Sequence, residues 1–345
     1  MKTGIVKDNR YMEHDMGPFH VETPKRIEAI YRMIDEKIGF PVSLVEPRAA
    51  TEEELALIHT ADHISRVKST AGKDHVQLDP DTSTSARSWE VGCLAAGGVL
   101  EAVEAIMGGK IRNAFALVRP PGHHAEASRA MGFCLFNNIA IGAAYLLKKH
   151  SLKRVLIVDW DLHHGNGTQH SFYDTSKVLY FSTHQFPYYP GSGHWSETGE
   201  GEGEGFTVNV PLRAGKTDGE YLSIFRNILR PIASEYKPEF ILVSAGFDIY
   251  EGDPLGGMRV TDQGFAALAA ELIDQAEESS CSRILFALEG GYHLQGLRDG
   301  VEQVLCQLAG KAPKPATEPS LSPGAEVELD PVIQTHRKRW PSVKS

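Results

Sequence analysis

Residues 154–167 read RVLIVDWDLHHGNG, and their reading decides the fold. Leu156–Val158 closes an apolar, β-branched run of the kind found in strands covered on both faces. The run ends in two aspartates and two histidines, then in glycines on either side of Asn166. Carboxylates and imidazoles are costly to bury unless something pairs with them. The boundary is therefore a strand end where polar groups collect for a purpose. If the chain stays extended, Asp159, Asp161 and His163 point to one side, because side chains alternate faces along a strand.

Similar apolar runs recur at 4–6, 43–46, 114–118, 178–183, 206–210, 240–245 and 283–288. Segments with helical spacing lie between several of them. TPKRIEAIYRMIDEK (23–37) opens with Thr23 as N-cap and Pro24 at N1. The stretches 88–107, 137–150, 218–236 and 262–279 also have helical spacing. This alternation predicts a single open, mostly parallel α/β sheet with helices on both faces. Ligands of such sheets gather at the carboxyl ends of the strands. VRPPGHHAE, DWDLHHGNG, THQFPYYPGSG, GFDIYEGDPLGG and EGGYHLQG each follow an apolar run, so one shared site is expected.

The 345 residues carry 41% hydrophobic side chains and a formal charge of −10. Nothing here is the basic footprint of a nucleic-acid binder; an acidic surface suits a basic partner such as a lysine-rich peptide. Cys93, Cys134, Cys281 and Cys306 are widely spaced and suggest free thiols in a reducing compartment. No apolar signal core opens the chain and no run has membrane-spanning length. A soluble cytoplasmic protein is expected, with its oligomeric state unassigned. Residues 311–328 read as a Pro-rich linker after a domain over 1–310, and 329–345 as a C-terminal segment docked on that domain. The acidic, glycine-rich GEGEGEG (199–205) reads as a flexible loop.

Asp161 and His163, joined by Asp248 from another strand end, form a candidate metal-ligand set. Three protein ligands plus water is the pattern of a catalytic zinc site, and Fe(II) would suit the same donors. Asp159 is assigned to orient a histidine. His123 and His124 follow two prolines and a glycine, and histidine is the side chain best suited to proton transfer near neutral pH. Tyr292, in LEGGYH, could donate to a developing oxyanion. Alone, each residue has a bland explanation: aspartates at strand ends cap helices, buried histidines are hydrogen-bonded, and loop tyrosines pack. Together they point to metal-assisted amide hydrolysis.

At this point the motifs resemble those of the histone deacetylase superfamily, which includes bacterial deacetylase-like amidohydrolases and acetylpolyamine amidohydrolases. HDMGPFHVETPKRIEAI, LDPDTSTSARSWEVGCLAAGG, RPPGHHAEASRAMGFCLFNNIAI, VDWDLHHGNGTQ, SAGFDIYEGDPLGGM and LEGGYH carry the likeness in order along the chain. The resemblance implies the arginase–deacetylase fold with eight parallel strands. It implies zinc on Asp161, His163 and Asp248, a proton shuttle at His124, and an electrostatic His123 held by Asp159. Tyr292 would polarise the acyl carbonyl. Phe133 and Tyr189 would wall an acyl-lysine tunnel, Gly132 would lend backbone to it, and Asp81 would hold the substrate at the rim. Structural potassium would sit on backbone oxygens of Asp159, Asp161 and His163 with the Ser182 hydroxyl. A second potassium would lie near Phe172, Thr175 and Val178, and Arg26 would line an acetate channel.

Several departures narrow this reading. Asn166 stands where the class I subgroup has Asp; this class II-like choice should leave His124 less basic. Leu255 stands where the polyamine-specific branch has a gatekeeper Glu, which favours acyl-lysine in proteins or peptides over acylated polyamine. Glu251, Asp253 or the 199–205 loop are the alternative sources of a carboxylate at the tunnel mouth. A dimanganese arginase-like site is excluded, because Gly165 and Tyr250 occupy positions where a second metal needs carboxylates. A non-catalytic acyl-lysine binder would have lost a ligand or the tyrosine, and all are present. The side chain of His164 should point away from the metal, with a structural hydrogen bond as its default role.

Overall fold

The computed structural model describes residues 2–343. Its strands are β1 (Thr3–Val6), β2 (Ser43–Val45), β3 (Val76–Asp79), β4 (Thr82–Thr84), β5 (Asn113–Ala116), β6 (Val155–Asp159), β7 (Val178–Gln185), β8 (Thr207–Leu212), β9 (Phe240–Ala245) and β10 (Ile284–Leu288). Eight of them make one sheet in the order β2-β1-β5-β10-β9-β6-β7-β8. Every neighbouring pair is parallel, so the sheet is wholly rather than mostly parallel. The apolar runs became these strands because both faces are covered: β5, β6, β9 and β10 are buried at every position. An unanticipated antiparallel hairpin, β3-β4, stands apart from the sheet.

The helices Pro24–Lys37, Ser88–Met107, Asn138–Lys149 and Asp262–Ser279 match their sequence patterns. Thr23 precedes the first without a side-chain cap bond, leaving Pro24 to start it. The stretch 218–236 is helical but widens into a π-turn over Phe225–Leu229, just before Pro231. Proline has no N–H to give the preceding turn, and a wide turn absorbs the loss. Helix Leu294–Leu308 was not read from the sequence.

The extended linker is shorter than 311–328. Ser322 caps a helix over Pro323–His336 by accepting from the Ala325 N–H, and that helix packs on β8. Beyond it, Trp340 donates to the Gly205 carbonyl at 2.9 Å and sits edge-on to Phe206. Residues 344–345 of the expected C-terminal segment lie outside the described residues. Among the described residues, no helix is long and apolar enough to cross a membrane.

Sheet order places β5, β10, β9, β6 and β7 side by side. These are the five strands whose following loops carry the Gly, His, Asp and Tyr motifs. Parallelism brings all five loops to one edge, the carboxyl edge, where they converge.

Candidate active site

β6 ends at Asp159, and Trp160 and Leu162 turn into the core while Asp159, Asp161 and His163 turn to the site. Strand extension alone does not hold this alternation. Asp159 Oδ1 accepts from the Asp161 N–H at 3.1 Å, and Asp161 Oδ1 from the His163 N–H at 2.9 Å. Each aspartate thus caps the amide two residues on, an Asx-turn geometry that fixes both side chains.

Asp161, His163 and Asp248 offer ligand atoms within 4.8 Å of one another. His163 Nδ1 is 3.2 Å from Asp161 Oδ1 and 3.1 Å from Asp248 Oδ2. Asp161 Oδ2 also accepts from the Gly290 N–H at 2.8 Å, and Asp248 Oδ1 from the Leu162 N–H at 2.9 Å. Burial and then the Asp161 charge raise Asp248. Burial works against protonation of His163, but Asp161 and Asp248 hold it up at about 9. Two buried carboxylates facing one imidazole nitrogen make a compact, electron-rich donor set that fits a divalent cation of the zinc or iron type.

His123 and His124 lie side by side, ring centres 4.0 Å apart, in opposite electrostatic environments. His123 Nδ1 is 3.0 Å from Asp159 Oδ2, which also accepts from the Tyr180 hydroxyl. Burial opposes charge on His123, yet Asp161 and Asp159 raise it to about 10. His124 is pushed well below its ordinary range by burial, then by the charges of His123 and His163. Its Nδ1 is 2.8 Å from Asn166 Oδ1. Groups whose environments drive their pKa values apart are natural candidates for separate acid–base roles.

His123, His124 and His163 line a cavity of about 260 Å³ together with Asp81, Gly132, Phe133, Tyr189, Leu255 and Tyr292. Phe133 meets the Tyr292 ring edge-on at 5.9 Å, and Tyr189 meets His124 edge-on at 5.1 Å. Phe133 adopts φ 68°, and its N–H is held by the Thr82 hydroxyl at 2.9 Å. A non-glycine residue in this left-handed region needs such support. Gly132 beside it leaves no room for a side chain: a Cβ would lie 2.2 Å from His124 Cδ2. Asp81 Oδ1 accepts from the Gly132 N–H at 2.9 Å and from the Thr82 hydroxyl, so the hairpin β3-β4 anchors the cavity wall.

Arg26 is buried behind Tyr292, its guanidinium 4.9 Å from the ring centre, and donates to the carbonyls of Gly291 and Glu289. Asp159 pairs with Ser182 in the β6-β7 register, and the Ser182 hydroxyl contacts His184 Nδ1 at 2.9 Å. Phe172 and Thr175 belong to the turn leading into β7, where the Thr175 N–H donates to Phe172 O at 3.3 Å, and Val178 opens that strand. His164 bonds Ser192 and Gln169 through its two nitrogens.

Of the carboxylates considered for the tunnel mouth, Asp253 is buried. It accepts from the N–H groups of Leu255, Tyr292 and His293 at 3.0, 2.7 and 3.0 Å. It holds the Tyr292 loop rather than facing a ligand. The 199–205 loop lines a separate cavity with Thr335 and Lys338. The sequence reading missed Glu289, which accepts from the Gly122 and His123 N–H groups at 2.6 and 3.2 Å and so fixes the histidine turn. A carboxylate directly after the apolar run 283–288 was its signal. It also missed Tyr188, whose ring stacks on His163 at 5.7 Å, and Glu22, whose carboxylate bridges Arg26 and Arg119 in the core.

A histone deacetylase domain matches residues 20–308. The chain is 38% identical to a probable deacetylase of Archaeoglobus fulgidus over 86% of this chain and 83% of that one. It is 42% identical to Histone deacetylase 18 of Arabidopsis thaliana and 37% to Histone deacetylase HDA1 of Candida albicans, covering 86% and 100% of this chain. It spans only 46% and 45% of those two proteins. The crystal structure of the HDA15 HD domain superposes with a TM-score of 0.93 at 37% identity, over 99% of this chain and 98% of that one. The domain match and the archaeal relative, similar over most of both lengths, fix the lineage: this chain belongs to the histone deacetylase family.

Proposed function

We propose that the chain hydrolyses the side-chain amide of N-acyl-lysine in proteins or peptides, releasing a free lysine amine and, from acetyl-lysine, acetate. One observation carries the reading. A buried donor triad reaches, through His163, a single cavity with aromatic walls that His123, His124 and Tyr292 also line. Asp161, His163 and Asp248 would hold zinc, with Fe(II) as the other metal the donors accept. Bound there, the metal supplies Lewis acidity to an acyl oxygen and acidifies water.

The chain's own groups supply the rest. Phe133 and Tyr189 flank the apolar stem of the substrate and exclude water from it. The Tyr292 phenol donates to the acyl oxygen as negative charge develops there. His124, neutral at the start, accepts a proton from the attacking water on Nε2 and passes it to the departing amine. His123, kept charged by Asp159, stabilises negative charge without transferring its proton. Leu255 at the wall favours acyl-lysine over a polycation, since no carboxylate replaces it at that point. We further propose potassium on the backbone oxygens of Asp159, Asp161 and His163 with Ser182, and a second ion near Phe172, Thr175 and Val178. An acetate path along Arg26 and a cytoplasmic setting for the free thiols belong to the same reading.

The test is initial-rate hydrolysis by metal-verified protein. An acetyl-lysine peptide is compared with N-acetylated putrescine, spermidine and cadaverine, with Asp161→Ala and Tyr292→Phe as controls. Peptide turnover well above polyamine turnover is expected, with both variants strongly impaired. Preferential polyamine turnover would reverse the substrate assignment, and no turnover by fully loaded protein would sink the acetyl-lysine reading.

A further inference from the structure

His124 Nδ1 faces Asn166 Oδ1 at 2.8 Å. An asparagine is an ambiguous partner for an imidazole. Its amide shows a carbonyl on one side and an amino group on the other, and a half-turn exchanges them. With the carbonyl toward Nδ1, the imidazole carries its proton there and keeps a lone pair on Nε2. With the amino group toward Nδ1, the tautomer reverses and Nε2 loses its capacity to accept a proton. Asn166 cannot make this choice alone.

The atoms beyond it can. Asn166 Nδ2 donates to the Glu126 carboxylate and lies 3.2 Å from the His124 carbonyl oxygen. Both are acceptors only, so the amino group is locked on that side and the carbonyl on the His124 side. Glu126 is in turn clasped by His170, whose Nδ1 is 2.9 and 3.1 Å from its two oxygens. The Glu126 side chain is 19% exposed and that of His170 53% exposed, while Asn166 is buried. The chain of contacts thus runs from the surface to the cavity. Burial raises Glu126, but its bonds to His170 and Asn166 outweigh that and lower it, which keeps it an acceptor at neutral pH.

We propose that Glu126 is a positioning residue that fixes the tautomer of His124 through the Asn166 amide, with His170 as its countercharge. The inference rests on the deacylase reading, in which His124 Nε2 must accept a proton. It also explains how Asn can stand where an aspartate would need no such help: the carboxylate sits one residue further out.

The experiment uses zinc-loaded, full-length protein. In Glu126→Lys, the ammonium draws the Asn166 carbonyl outward and turns the amino group toward His124. Its kcat is expected to fall about 10²-fold or more, the usual worth of a placed acid–base group, with KM little changed. Glu126→Gln still offers a carbonyl to Asn166 and stays within about tenfold of the parent by the same reasoning. Glu126→Lys/Asn166→Asp gives His124 a partner that can only accept and should recover most of the lost kcat. Equal losses in the Gln and Lys variants, or no recovery in the pair, would overturn the proposal. A readout independent of turnover is the nitrogen NMR spectrum of ¹⁵N-histidine-labelled protein. The parent should show His124 protonated on Nδ1; an Nε2–H tautomer overturns the proposal even if every variant misfolds. The expected tautomer in a parent that hydrolyses no amide would support the positioning of His124 and refute the deacylase reading separately.

Discussion

Gly290→Ala tests the metal centre without touching a ligand. Gly290 is not among the left-handed glycines, unlike Gly291 at φ 115°, so alanine fits its backbone. The added Cβ would lie 2.4 Å from Asp248 Oδ2 and 2.6 Å from Asp161 Oδ2. The backbone cannot easily withdraw: the Gly290 carbonyl accepts from the Phe247 N–H at 3.0 Å, and the preceding Glu289 N–H donates to Ala245 O at 3.0 Å. The two carboxylates must therefore retreat by roughly 0.8–1 Å, several times the ~0.2 Å that a metal site tolerates in its bond lengths. Outer contacts alone change metal affinity by about 10–100-fold, and here both oxygens belong to ligands. Zinc affinity, measured by competition with a chromophoric chelator, should fall at least about 10²-fold. Thermal unfolding of the metal-free proteins is the control: a cooperative transition at a lower midpoint is expected from the crowded carboxylates, a cost of about 1–3 kcal/mol, so that affinity is read on folded protein. Zinc affinity within about threefold of the parent would refute the assignment of these oxygens to the metal, since loss on the scale of ligand displacement is required.

Glu22→Gln should cost about 3–5 kcal/mol by urea unfolding, because it leaves the buried Arg26 and Arg119 guanidinium groups, 3.0 and 2.5 Å from the carboxylate, without a countercharge; a loss below about 1 kcal/mol would assign that cluster little structural weight. His14 and His59 are held at about 3, and His184 and His336 at about 4, by burial first. Their lowered values mean that their own contribution to stability is full above pH ~6.5 and is lost as acidity rises toward those values, by up to about 1.4 kcal/mol per pH unit per histidine; a His336→Asn variant whose urea midpoint falls between pH 7 and 5 as steeply as the parent's would contradict this. Trp340→Ala should remove about 3–5 kcal/mol and open the C-terminal segment to limited proteolysis, since Trp340 seals Phe206 and Tyr236 and donates to Gly205 O. An unchanged cleavage pattern would mean that the segment docks through its helix alone.

The sheet was legible because burial on both faces leaves nearly continuous apolar runs in most of its strands, and all eight runs identified became strands of one sheet, the exposed edge strand β2 included. The β3-β4 hairpin was not, since VQLD (76–79) is short and half polar and TST (82–84) is short and wholly polar. Their pairing is fixed by tertiary contacts to the cavity wall. The period-two run of Asp159, Asp161 and His163 made the donor set legible in the same way. Asx-turns rather than a longer strand carry it past residue 159.

What the sequence could not reveal is what holds these groups in place. Glu289 supports the histidine turn from 166 residues away, and Asp253 supports the Tyr292 loop from 39 away. Neither spacing has any local period. Asn166 shows the same limit more sharply. Read alone, it suggests a less basic His124 because it is not a carboxylate. In the fold, His124 is lowered mainly by burial and by His123 and His163, while the bond to Asn166 acts in the opposite direction. The consequence of asparagine at this position is therefore geometric before it is electrostatic. An amide can present either end to the imidazole, and the acceptor that fixes its orientation, Glu126, lies 40 residues earlier in the chain.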